Sequence, residues 1–248
     1  MRLLTWPHNL FLKVAQKGSK NAVLPVTEQI RNWSKASRIM NWGISRAEFE
    51  RLDALPLPTL TEEDRTRGFI GSVLFYGFGE DGRGNADAVL CGKLAWEYAI
   101  KRRRGKTWQC EYVDFNKPED IRLRPGAPAR PKGFYYAKIQ PGKRFKAMTV
   151  SQLRKKLAPD TGWGPEGFQF LSITHSHFAD LMNERKIPFM ALADYDVAPH
   201  GFNDFFDAPQ LFCSNNKLGL GIGNVDRNYP LFGIPTLRFA YECEAYSH

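Results

Sequence analysis

Apolar side chains recur along residues 27–42, TEQIRNWSKASRIMNW, at Ile30, Trp33 and Met40, with the small Ser37 completing the i, i+3, i+7, i+10 spacing of one helical face. Thr27 is the expected cap of this helix, and Arg31, Lys35 and Arg38 share another of its faces. Ser45 and Glu48 have capping-box spacing and open a second, short helix, after which LPLPTLT at 55–61 is a proline-punctuated connector. Residues 69–78 read as a buried strand, followed by the turn GFGEDGRG. A helix over 85–104 comes next, with Ala86, Val89, Leu90, Leu94 and Tyr98 as its apolar stripe. A strand over 107–115 would complete a strand–helix–strand unit, and 116–132 is a long loop rich in proline and arginine. Further strands are expected over 134–140, 168–173, 188–193 and 231–241. A short helix is opened by Thr149 with Gln152 in capping-box position, and another helix covers 177–186. Strands and helices interleave throughout, which predicts a mixed α+β fold.

At 248 residues, 43% of them hydrophobic and 25% charged, the chain can bury a substantial core. The expected organisation is a partly helical N-terminal segment over 1–66 and a mixed α/β nucleic-acid-binding domain over 67–248. No stretch approaches the ~18 consecutive apolar residues of a membrane span, and the first twenty residues lack the apolar run of a secretory signal, so the expected location is the cytoplasm. Cys91, Cys110, Cys213 and Cys243 form no C-x-x-C pair and are expected to be reduced and structural.

Charge changes the picture most. The whole chain is net +9, but residues 1–100 sum to +2, residues 101–156 to +13 and residues 157–248 to −6. So concentrated a positive segment is usually relieved by a polyanion, which makes nucleic acid the leading partner. The cations offered to phosphate are Arg31, Lys35 and Arg38, then Lys101, Arg102, Arg103, Arg104 and Lys106. Arg122, Arg124, Arg130 and Lys132 follow in the loop, and Lys143, Arg144, Lys146, Arg154, Lys155 and Lys156 complete the belt. Trp108, Tyr112, Phe134, Tyr135, Tyr136 and Phe145 are interleaved with them, and one or two of these six are expected to face a base.

Three constellations could carry more specific chemistry. Gly77-Phe78-Gly79-Glu80-Asp81-Gly82 fits G-x-G-x-x-G, with Asp114 downstream, the outline of a dinucleotide site; the acidic Glu80 and Asp81 argue against it, and no cofactor is expected. His175, His177, Asp194, Asp196 and His200, with Glu166 nearby, could hold divalent metal for phosphodiester hydrolysis, the alternative reading of the chain as a metal-dependent nuclease or phosphoesterase. If RNA is cut without metal, His175 or His177 is the candidate base and Arg38 or Arg102 its electrostatic partner. Lastly, Lys217-Leu218-Gly219-Leu220-Gly221-Ile222-Gly223 offers backbone amides to a phosphate chain, with Lys217 and Arg227 to neutralise it.

That glycine-rich stretch, feeding Phe232-Gly233-Ile234 and a final strand, resembles the C-terminal loop of the RAMP superfamily of CRISPR systems. LFYGFGEDGRG is similar to a glycine-rich stretch in RNA-processing subunits of type IV systems. The resemblance covers about 35 residues in two patches. It implies ferredoxin-like, RRM-like sheet-and-helix units, to which the helices expected near the N-terminus would be an extension in place of the family's opening strand. It also implies RNA-backbone contacts by Gly219, Gly221, Gly223 and Gly233, and a guide-RNA-binding subunit of an antiviral ribonucleoprotein, assembled with other protein subunits and needing no enzymatic activity.

Overall fold

The structure, a computed structural model, describes residues 23–79, 86–117, 119–146, 148–158, 160–174, 189–198, 204–214 and 217–239. Helix α1, Val26–Met40, turns Ile30, Trp33 and Ser37 inward, as its periodicity predicts, with Gln29 and Ala36 beside them and Met40 half-buried, and ends at the left-handed Asn41. Its first turn starts at Pro25 without a side-chain cap, so Thr27 lies inside the helix and does not cap it. Helix α2, Arg46–Glu50, has the expected box between Ser45 and Glu48, and α3, Glu62–Thr66, has a second between Thr61 and Asp64. Strand β1, Gly71–Gly77, is buried along its whole length. Helix α4, Ala88–Arg103, is capped by Asp87.

The chain continues through β2 (Thr107–Gln109), β3 (Ile121–Leu123), β4 (Gly133–Gln140), α5 (Val150–Arg154) and β5 (Thr161–Gly162). Helix α6, Pro165–Gln169, runs on into a π-helical turn, Phe170–Thr174, where a strand is expected from the sequence. Every residue from 165 to 174 is buried, so no polar face marks the helical period, and a short apolar run reads equally as a strand. Strands β6 (Phe189–Ala191), β7 (Tyr195–Val197), β8 (Asp207–Ser214), β9 (Lys217–Asn224), β10 (Phe232–Gly233) and β11 (Thr236–Phe239) follow.

Two sheets result, and the α+β class expected from the sequence is the class observed. The first has the order β1–β4–β11–β5, with every pair antiparallel. In the second, β8 pairs along one edge with β9, which is followed by the parallel edge strand β2; along its other edge it meets both β6 and β7. β10 then extends β6, and β3 extends β7. The expected strand–helix–strand unit is not formed, because β1 and β2 belong to different sheets. β1 and β4, sheet neighbours with α4 between them in the chain, are antiparallel. One continuous apolar core contains Val73, Phe75, Ile139 and Leu237 of the first sheet, Met190, Tyr195, Leu211 and Leu220 of the second, and Trp33, Trp96 and Phe168 from the helices.

The outer edge of β1 would be an open template for another strand, and two glutamines close it. Gln29 accepts from Leu74 N at 2.7 Å and donates to Ser72 O at 3.3 Å. Gln169 accepts from Tyr76 N at 3.1 Å and donates to Tyr76 O at 2.7 Å, while Trp33 Nε1 reaches Leu74 O at 3.0 Å. The side chains of α1 and α6 thus take the place of a neighbouring strand.

Candidate nucleic-acid interface

The seventeen cations of residues 101–156 do not form one surface. Arg130, expected among the phosphate contacts, is fully buried. Its guanidinium meets Glu166 Oε1 at 2.8 Å and Asp194 Oδ2 at 2.9 Å, and donates further to the carbonyls of Pro128 and Gly162. Burial opposes charge on this guanidinium, but the carboxylates of Glu166 and Asp194 outweigh it and hold the proton more firmly than usual. Tyr135 donates to Glu166 at 2.9 Å, and burial, then the Glu166 charge, push its phenol far up. Arg124 Nε takes the other oxygen of Asp194 at 2.9 Å. Arg154 donates to the carbonyls of Ala193 and Tyr195 and lies 2.9 Å from Asp196; burial pulls its pKa down, against the pull of that carboxylate.

These pairs also bear on the metal reading. Asp194 has an arginine on each carboxylate oxygen, and Asp196 lies between Arg154 and, at 3.8 Å, Arg122. Among the described residues no group of three or more His, Cys, Asp or Glu is placed to hold a metal ion. His175, His177 and His200 lie outside the described residues. The acidic last third of the chain therefore supplies, at Glu166, Asp194 and Asp196, the counter-charge of the belt's inward arginines. Lys138 is drawn in likewise: its amine lies 2.6 Å from the buried Asp64, which Arg238 meets from another side at 3.2 Å.

The dinucleotide outline does not survive the topology either. Gly77 ends β1 where the Pro131 carbonyl would stand 1.9 Å from any Cβ, so this glycine serves a close approach of the 130–132 segment. Residues 80–85 lie outside the described residues, and Asp114 follows β2 in a loop.

Of the remaining cations, Arg31, Lys35 and Arg38 are exposed along α1, Lys143 and Arg144 on a 3-10 turn at Lys143–Phe145, and Lys155 and Lys156 after α5. Lys132 is exposed and Lys146 half-buried. Arg122 lies with its guanidinium 3.6 Å from the centre of the Phe205 ring. Lys101 turns back to the Ile39 carbonyl, and Arg102 to Ser172 O, over the ring of Tyr98.

The cations that do gather lie where α4 gives way to β2. Arg104 ends the helix in the left-handed conformation, Lys106 N bonds Arg103 O at 3.0 Å, and Leu218 N of β9 bonds Lys106 O at 3.0 Å. This turn brings Arg104 and Lys106, both exposed, beside the exposed Lys217 at the head of β9. Directly after it comes Trp108, 50% exposed; Tyr112, 42% exposed, follows in the next turn. Of the six interleaved aromatics these two are open to solvent. Tyr135 and Tyr136 are core, and Phe134 and Phe145 are half-buried. The Gln109 side chain fastens β2 by hydrogen bonds with Trp96 Nε1 and Val113 O.

Gly219, Gly221 and Gly223, expected in a phosphate-binding loop, instead form the interior of β9. None has a positive φ, and their missing side chains leave room for β8. A Cβ on Gly219 would lie 2.3 Å from the Phe212 ring, and one on Gly223 1.8 Å from the Gln210 amide. Gly233 is likewise a strand residue, in β10. Phe212 thus lies down across β9 and reaches Trp108, with ring centres 5.8 Å apart.

The same face carries three more rings. Phe189 of β6 is 6.0 Å from Phe212, Phe232 of β10 is 5.4 Å from Phe189, and Tyr229 is 6.0 Å from Phe232, with Arg227 over the Tyr229 ring. All four are partly exposed. Register places Trp108 opposite Gly219, Gly219 opposite Phe212, and Phe232 opposite Phe189, so the row crosses the second sheet on one side. Leu211 and Met190, on alternate positions, point to the core. Sequence reasoning missed Phe189, Phe212, Tyr229 and Phe232, because they come from separate segments that only strand register aligns.

No protein-family model, curated protein or solved structure matches the chain.

Proposed function

We propose that the chain is a nucleic-acid-binding protein, with RNA favoured over DNA, acting as a binding subunit of a ribonucleoprotein of the CRISPR kind rather than as an enzyme. The observation that carries this reading is the convergence of Arg104 and Lys106 from one turn with Lys217 from a distant strand at one sheet edge, beside a half-exposed tryptophan. Cations neutralise phosphate, and an open indole stacks on a base. The preference for RNA and the ribonucleoprotein setting come from the RAMP resemblance, which after the reassignment of the glycine strand leans on the LFYGFGEDGRG stretch. The test is the full chain purified at low salt, probed for co-purifying nucleic acid and titrated with RNA and DNA oligonucleotides. Binding that steepens as salt falls, and that a joint Arg104→Glu and Lys106→Glu change weakens, is expected. Clean protein with no affinity for either polymer at low salt would overturn the reading.

A further inference from the structure

From the aromatic row we infer that the part of this face of the second sheet left uncovered by the Val150–Leu157 cluster is a track for single-stranded nucleic acid, along which unpaired bases pack on the row from Trp108 towards Tyr229. The inference rests on the nucleic-acid-binding reading and specifies its substrate class.

Five rings lie in one file with centres 5.4–6.0 Å apart, across strands β2, β8, β6 and β10 and the segment before β10. Such a file is costly to leave partly exposed, with Trp108 half open, since aromatic surface is the apolar area most worth burying. Its ends are cationic: Arg104, Lys106 and Lys217 at Trp108, and Arg227 over Tyr229. The 3-10 turn carrying the exposed Lys143 and Arg144 sits next to β10, with Gly142 against the backbone of Gly233 and Ile234. A polyanion with a π-face at each repeat matches both properties, whereas an apolar protein segment would leave the flanking cations without partners. A duplex matches less well, because its bases are already stacked and paired and present the row with phosphates alone. The glycines of β9 fit the same picture: they let Phe212 lie flat, so that the file continues from Trp108 across a strand that contributes no ring of its own.

The experiment titrates the full chain with a fluorescein-labelled oligouridine and with an RNA hairpin duplex of equal charge, at several salt concentrations. Wild-type protein should prefer the single strand. Trp108→Ala should weaken oligouridine binding roughly tenfold, the order expected for one stacked base, and leave the slope of log affinity against log salt unchanged. Trp108→Phe should recover part of the loss. Lys106→Glu with Lys217→Glu should instead flatten the slope. Trp108 is half-exposed, so its variants should keep the wild-type melting temperature, which is measured alongside. Equal affinity for duplex and single strand, or a Trp108→Ala variant that binds oligouridine like wild type, would overturn the track while leaving salt-dependent binding in place. Absence of all RNA binding would bring down the nucleic-acid reading itself. Retention on a neutral polysaccharide, abolished by Trp108→Ala in a protein that ignores RNA, would reassign the row to sugar.

Discussion

Gln169 pairs its carboxamide with the backbone of Tyr76 on both sides, accepting from its N–H at 3.1 Å and donating to its carbonyl at 2.7 Å. Both side chain and backbone are buried there, so the two groups have no water to fall back on. Gln169→Ala should cost about 1–3 kcal/mol for each orphaned group, measured by urea unfolding. Gln169→Glu should fail to rescue, because a carboxylate can accept from Tyr76 N but cannot donate to Tyr76 O. A wild-type midpoint in Gln169→Ala would refute the edge-closing role.

Arg130 balances two buried carboxylates that no other described cation satisfies in the same way. Arg130→Met should destabilise the fold by about 3–5 kcal/mol, the usual cost of leaving buried charges uncompensated. Because the guanidinium is fully buried, the change should not reduce the number of phosphate contacts. The slope of RNA affinity against salt, measured well below the variant's melting temperature, is expected to match wild type. A flattened slope would mean that Arg130 reaches the ligand.

Acid stability should depend on Asp64. Burial raises its carboxyl, but the hydrogen bond from Lys138 and those from Thr61 prevail and lower it from 3.8 to about 2. A depressed folded-state value means that the unfolded chain binds the proton first. Its stabilising contribution is therefore complete above 3.8 and lost as pH falls towards about 2. Asp64→Asn should lower the melting temperature at neutral pH and reduce its fall across that acid window. Parallel curves for variant and wild type would contradict the assignment.

The three glycines of β9 should differ from one another. Gly219→Ala and Gly223→Ala set a Cβ against Phe212 at 2.3 Å and against Gln210 at 1.8 Å, and should cost about 1–3 kcal/mol through overpacking. Gly221→Ala meets Phe212 at 3.3 Å and should be much milder. Thermal melts of the three variants check the order. Equal melts combined with uniform loss of RNA binding would restore a phosphate-binding loop.

Local rules were legible where the chain itself supplies them. The boxes at Ser45 and Thr149, the stripe of α1 and the extent of α4 need only near neighbours, and each is formed. The start of α6 was also written locally, as Pro165 at its first turn, but the run beyond it is uniformly buried, polar Gln169 and Ser172 included, and so concealed the period. Partnerships across the chain were not legible. Nothing near Arg130 announces that Glu166 and Asp194 will enclose it, and charge summed by segment treats an inward arginine and a solvated one alike. The candidate site was half visible, in Trp108 and its neighbouring cations. Its other rings became neighbours only through the pairing of β6, β8, β9 and β10.

The position of β11 has a consequence for synthesis. Residues 236–239 insert between β4 and β5, so β4 keeps one edge bare from its emergence until those residues have also left the ribosome. The first sheet cannot close on a nascent chain that still lacks them, and pairing so distant in sequence makes for slow assembly. A truncation that removes those four residues would strand β4 as an aggregation-prone edge rather than yield a smaller working domain.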